Sequence, residues 1–273
     1  MRRNLVKAVR ETIVFLGGGR ITSAIIEGLH RAGSQHEIVV HDRHANKLAT
    51  LRRRFHVRVE TDLHRAVADA TMLIVAVRPD SLLAVLQRVG RIERPVAAIS
   101  FAPGVTLAQL RRQLGPHPQW LRAMPSPACS GRRGLTALAF DGGVSAAVKK
   151  RVRRLFASMG SVLEIAEKKF DAFTATYSVS HGYHALFVLL SAAMRLGLDQ
   201  KTAEIAAAHA LADGILCWRD GRGSLEELLR EAATPGGIAA TVRSIEESGG
   251  YSRLLERALR AGLARARAQH LFS

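Results

Sequence analysis

The chain runs to 273 residues, long enough to bury a substantial core and to divide into two domains. Its 40 lysines and arginines against 23 acids give a formal charge of +17, a field that favours anionic cofactors and substrates. Cys129 and Cys217 are the only cysteines, too few and too isolated for a disulfide framework or a metal cluster, so a cytoplasmic setting and no metal are expected.

Met1 to Arg10 is basic but lacks the apolar core of a secretory signal. The β-run Ile13-Val14-Phe15-Leu16 then stops at Gly17-Gly18-Gly19 and passes straight into a helical pattern at Arg20 and Ile21. Gly17 allows a tight turn, Gly19 lets the backbone approach a pyrophosphate, and the unpaired N–H groups of the following helix face the anion with a favourable dipole. The strict pattern wants a third small residue where Thr22 stands. A second strand, Ile38-Val39-Val40-His41, ends at Asp42, a little over ~20 residues past the glycines, where an acid is expected to accept from a ribose hydroxyl. Arg43 follows directly and suits a ribose phosphate instead. With the basic surface, it tips the expectation towards NADP(H) over NAD(H).

Further strands are read at Met72 to Ala76, Val96 to Ser100 and Leu135 to Phe140, alternating with amphipathic helices over 47–55, 80–89 and 145–159. Such alternation means βαβ units and a mostly parallel sheet. Beyond Ile165 the strand signal disappears, and helical patterns over 171–196, 202–218, 224–232, 238–248 and 252–270 are separated by glycine-rich breaks. The expected fold class is therefore α/β: an N-terminal Rossmann-type doubly wound sheet over 1–166, then an all-helical domain over 167–273. Apolar residues cover more than one face of the later helices, most plainly from Ala185 to Leu190, so a homodimer or higher oligomer is expected. That apolar run falls well short of the ~20 residues that span a bilayer, so no membrane partner is expected. The basic runs Arg52-Arg53-Arg54, Arg111-Arg112, Arg132-Arg133 and Lys149-Lys150-Arg151 are scattered over several helices without interleaved aromatics. This favours a generally basic surface over a nucleic-acid site.

Four turns complete the pattern. Val77-Arg78-Pro79 and Ser100-Phe101-Ala102-Pro103-Gly104 close strands on the side where open α/β sheets bind ligands; Arg122-Ala123-Met124-Pro125-Ser126-Pro127 and Ala233-Thr234-Pro235-Gly236-Gly237 come later. In this order and spacing, from Thr12 to about His270, they resemble the pyrroline-5-carboxylate reductase family. That family shows a glycine loop, a Val-Lys-Pro strand end, a Ser-x-x-Ala-Gly turn, an Arg-x-Met-Pro-Asn segment and a Ser-Pro-Gly-Gly-Thr-Thr helix start. The resemblance implies a Rossmann domain, a helical domain building an intertwined dimer, and reduction of a cyclic imine by NAD(P)H. It implies a cofactor site at Gly17, Gly18, Gly19, Arg20, Ile21, Asp42, Arg43, Ala76, Val77, Arg78 and Pro79. For a small anionic substrate it implies Ser126 and the backbone of Pro235-Gly236-Gly237.

Departures fall on the substrate side. Ile238 and Ala239 stand where the family places two threonines, the second of which touches the imine. Asp171, Thr174 and Ala175 are kept, but the family's following glycine loop is replaced by Tyr177-Ser178-Val179-Ser180-His181-Gly182-Tyr183-His184. His181 and Thr234 are the candidate catalytic residues, His181 because imidazole titrates near working pH; His184 and Tyr177 are weaker candidates. The competing expectations are a related oxidoreductase on another imine or on a hydroxy or keto acid, and a nucleotide-binding regulator that has lost catalysis.

Overall fold

The computed structural model describes residues 11–221 and 223–268. The first part alternates β1 (Thr12–Leu16), α1 (Arg20–Arg31), β2 (Glu37–His41), α2 (Ala45–Phe55), β3 (Arg58–Val59), α3 (Leu63–Val67), β4 (Met72–Val75), α4 (Pro79–Val89), β5 (Val96–Ser100) and α5 (Leu107–Leu110). It continues through β6 (Pro118–Pro125), a 3-10 turn (Pro127–Gly131), β7 (Gly134–Phe140), α6 (Ala146–Ala157) and β8 (Gly160–Glu164). The eight strands lie in the order β3-β2-β1-β4-β5-β6-β7-β8. Every neighbouring pair is parallel except β6 with β7. Strands β1, β4 and β5 read as unbroken apolar runs because helices cover both faces of the sheet. Side chains of α1, α2 and α6 pack on one face, those of α3, α4 and α5 on the other. The chain leaves β1 towards β2 on one side and returns to β4 on the other, so the crevice beyond the carboxyl ends of β1 and β4 is the switch point of the sheet.

Three of these strands were not expected: β3, only two residues long, β6 and β8. Arg122 to Pro125, read from sequence as a proline turn, forms the end of β6, whose prolines occupy its two ends. β8 is short and only partly buried, so it lacks a strong apolar alternation. A close approach also escaped the sequence: a Cβ on Gly28 of α1 would stand 2.3 Å from the carbonyl oxygen of Cys129, so glycine there lets α1 lie directly on the 3-10 turn.

The helices follow as α7 (Glu167–Thr176), α8 (Val179–Arg195), α9 (Gln200–Arg219), α10 (Leu225–Glu231), α11 (Ile238–Ser248) and α12 (Tyr251–Ala268). The expected single helix over 171–196 is two. The chain breaks at Tyr177 and Ser178, where the Ser178 hydroxyl accepts the Ser180 N–H as an N-cap and starts α8 afresh. The expected continuation of the last helix to His270 lies outside the described residues, as does the basic stretch Met1 to Arg10.

By contacts the chain forms two compact units, Met1–Thr176 with Leu263–Ser273, and Tyr177–Gly262. Helix α7 groups with the sheet because Phe170 is buried beside Ala137 and Ala139 of β7. In the second unit, α8, α10 and α11 bury no residue, while Phe187, Leu196 and Ile238 are 65%, 87% and 87% exposed. Among the described residues no helix is long and apolar enough to cross a membrane.

Candidate active site

The crevice at the switch point is a cleft of about 570 Å³. The sequence supplies its floor in a few residues. β1 ends at Leu16, and Gly17 takes φ +109, a left-handed conformation open to glycine. A Cβ at Gly17 would also lie 2.7 Å from the Ala76 carbonyl oxygen, so the loop closes directly against the end of β4. Thr22, which stands where the strict pattern wants a third small residue, is fully buried and its hydroxyl donates to the Gly17 carbonyl at 2.6 Å. The substitution therefore braces the turn from inside.

Gly19 caps α1 without any side-chain acceptor, and the first turn of α1 carries no acid. Nothing lies within 4 Å of a Cβ built on Gly19, so the glycine leaves open space in front of the helix start. Open space beside unpaired N–H groups and a positive helix end is what a pyrophosphate requires.

Of the cofactor residues expected from sequence, Gly17, Gly19, Arg20, Asp42, Arg43, Ala76, Val77 and Arg78 line this one cleft. Gly18, Ile21 and Pro79 do not. The Gly18 N–H is turned to Asp42, Ile21 packs half-buried on the core, and Pro79 is the first residue of α4, where its missing N–H costs nothing. Sequence reasoning missed His44, Lys47, Ser81 and Arg88, which also line it. Lys47 lay on the expected helix over 47–55, but which of its turns meets the crevice is a tertiary fact.

Asp42 is the surprise. Its side chain is 7% exposed, with Oδ2 accepting the Gly18 N–H at 2.8 Å and Oδ1 accepting the N–H of His44 and meeting His44 Nδ1, each at 2.8 Å. Lys47 Nζ stands 3.6 Å away. Burial works to raise this carboxyl, but the hydrogen bonds from Gly18 and His44 and the charge of Lys47 outweigh it and hold Asp42 below its ordinary value. The acid thus clamps the glycine loop. Arg43 beside it is exposed and meets no acid among the described residues. The lining holds Arg20, Arg43, Lys47, Arg78 and Arg88 against Asp42 and Asp80, an electropositive cleft.

Ser126 is 4% exposed and caps the 3-10 turn, its hydroxyl accepting the Ala128 N–H at 3.1 Å. Four residues earlier on β6, Arg122 is buried; it donates to Asp171 at 2.5 Å and lies 4.2 Å over the Phe170 ring. Two motif residues far apart in sequence thereby pin α7 to the sheet. In the second unit, Gly237 caps α11 and donates to the Thr234 carbonyl at 2.8 Å, while Gly236 takes φ +76. Thr234, Pro235 and Gly236 are not buried in the single chain, and Ile238 and Ala239 are exposed. His181 is exposed in the first turn of α8. Among the described residues no group of His, Cys, Asp or Glu is arranged to hold a metal.

Residues 12–104 match the family model described as NADP oxidoreductase coenzyme F420-dependent, and residues 167–269 match that for pyrroline-5-carboxylate reductase dimerisation. A pyrroline-5-carboxylate reductase of Mycobacterium tuberculosis is 30% identical, with 93% of this chain and 95% of the relative covered. The chain belongs to the pyrroline-5-carboxylate reductase family. The solved pyrroline-5-carboxylate reductase of Coxiella burnetii is 26% identical with a TM-score of 0.82, covering 95% of this chain and 98% of its own. A Plasmodium falciparum pyrroline carboxylate reductase solved with NADP bound shares the fold at a TM-score of 0.84 and 20% identity, covering 95% of this chain and 98% of its own. The dimerisation match spans α7 to α12, and in α8 to α12 large apolar side chains stand exposed in the single chain.

Proposed function

We propose that this chain is an NAD(P)H-dependent reductase that converts pyrroline-5-carboxylate, a cyclic imine carboxylate, into proline, and that NADPH is its preferred donor. The observation that carries the reading is family membership along almost the whole chain, joined to a switch-point cleft with an open, uncapped helix start. The cofactor supplies hydride when bound. Gly17, Gly19 and the first turn of α1 would hold its pyrophosphate, and Ala76, Val77 and Arg78 would line its path. Arg43 and Lys47 would take the ribose phosphate of NADPH, since Asp42 is engaged by the glycine loop and faces the cleft with little free acceptor surface. The basic balance of the lining supports the same choice.

The substrate carboxylate is assigned to the backbone of Pro235-Gly236-Gly237, with Ser126 as a second polar group. His181 and Thr234 are assigned to hold or deliver the proton at the ring nitrogen. Division of the chain at 166/167, self-association through the apolar helices and a cytoplasmic setting belong to the same reading. Ile238 and Ala239 favour a second possibility, a related oxidoreductase on another imine or a nucleotide-binding regulator, because the expected hydroxyl is missing there. NADPH oxidation against pyrroline-5-carboxylate and a panel of cyclic imines and keto acids separates these. Slow reduction of pyrroline-5-carboxylate is expected, raised about tenfold or more by Ala239→Thr and lowered about a hundredfold by His181→Ala. NADPH binding without turnover of any compound, in wild type and in Ala239→Thr, would leave the regulator.

A further inference from the structure

The basic runs that look scattered along the chain converge in the fold. One face of the sheet is covered by α1, α2, the 3-10 turn and α6, and α2 and α6 contain no acid at all. Helix α2 presents Arg52 and Arg53, and α6 presents Lys150 and Arg154, none with an acidic partner among the described residues. Arg132 and Arg133 follow a turn that lies on α1, whose Glu27 pairs with Arg54 of α2, and Arg132 Nε donates to the Ser158 carbonyl at the end of α6 at 3.1 Å. The few acids nearby are already paired. Glu27 pairs with Arg31 and Arg54 at 2.9 and 2.8 Å, Glu11 with Arg151, and Glu164 with Arg153. On the opposite face α3 sets Arg65 against its Asp62 cap, α4 balances Arg88 with Asp80, and α5 carries no charge. The asymmetry belongs to one face and not to the molecule as a whole.

The chemistry of that face narrows the partner. A second copy of the same face would meet it with like charge, so self-association is opposed there. Among the described residues all exposed large apolar side chains lie at Leu163 or later in the chain, so this face has nothing to insert into a bilayer. Among the described residues it has no exposed Phe, Tyr or Trp ring on which an unpaired base could stack. What remains is a row of mostly arginine guanidinium groups, which grip phosphate oxygens in pairs. We propose that the sheet face covered by α1, α2 and α6 binds the phosphate backbone of duplex nucleic acid without reading its sequence.

The test uses the full chain and a fluorescein-labelled duplex of about 30 base pairs, followed by anisotropy. About five neutralised phosphates imply a log–log salt slope near −4.5, and so a loss of roughly 500-fold in affinity between about 50 and about 200 mM salt. Combining Arg52→Gln, Arg53→Gln, Lys150→Gln and Arg154→Gln should flatten that slope by about 3 to 4, while NADPH titration of the same variant stays as in wild type and certifies its fold. Arg65→Gln with Arg112→Gln, outside this face, should leave the slope unmoved. The proposal is overturned by absent saturable binding at low salt, by a quadruple variant that binds as wild type does, or by equal flattening in the control pair. Sedimentation with phosphatidylserine vesicles in place of duplex binding would overturn it too and assign the face to a membrane surface.

Discussion

Asp42→Ala separates two roles that the same acid fills in the same position. If the carboxylate reads a ribose hydroxyl, its loss weakens NADH and spares NADPH. The structure gives it a different role, because it accepts the N–H of Gly18 and of His44, both at 2.8 Å, and so holds the loop that carries Gly17 and Gly19. A hydrogen bond to a charged group contributes about 1.5–3 kcal/mol, and water entering the vacated space recovers part of it. A net loss of about 1.5–2 kcal/mol in loop order is expected, which corresponds to about 10- to 30-fold weaker nucleotide binding. Fluorescence titration should show that loss for NADPH and NADH alike. The sign with pH follows from the lowered carboxyl: the clamp is fully present above the ordinary value of 3.8 and is lost as pH falls through the lower folded value, a dependence that the variant lacks. A variant that binds NADPH normally and loses NADH alone would refute the clamp and restore the ribose contact.

Three more outcomes are expected. Arg43→Ala should weaken NADPH by about 1–3 kcal/mol and leave NADH unchanged, since a charge-assisted contact to the extra phosphate is all it removes; equal loss for both nucleotides would sink that assignment. His36 Nδ1 accepts the Glu11 N–H at 3.1 Å, and burial, aided by Arg151 and opposed by Glu11, pushes the imidazole below 6.5. Its contribution to stability is therefore present above 6.5 and lost as pH falls through the folded value, so thermal midpoints should drop below pH 6.5 in wild type and less in His36→Asn, as read by circular dichroism. Light scattering at micromolar concentration should give a dimer or larger, because Phe187, Leu196, Ile238 and their neighbours are uncovered in one chain; a monomer would refute the reading of those helices.

What the sequence determined by itself is whatever is written locally. The alternation of apolar β-runs with amphipathic helices, the glycine turn after β1 and the Pro-Gly-Gly start of α11 are set by periodicity and by backbone freedom at single positions, which a short window displays. The switch-point crevice was legible for the same reason, since its glycines and the end of β2 lie within one βαβ unit. The edge strands β3 and β8 and the proline-bounded β6 were not, because each is held by partners that only the completed sheet supplies. Nor could the sequence tell whether Asp42 turns to a ligand or to the loop; the Gly18 N–H, 2.8 Å away across a turn, decides that. Lys47 and Arg88 reach the cleft through the crossing of α2 and α4 over the sheet, and the basic runs of α2, α6 and the 3-10 turn gather on one face because those elements share a core with α1. Charge adds in space, and sequence separation gives no measure of it.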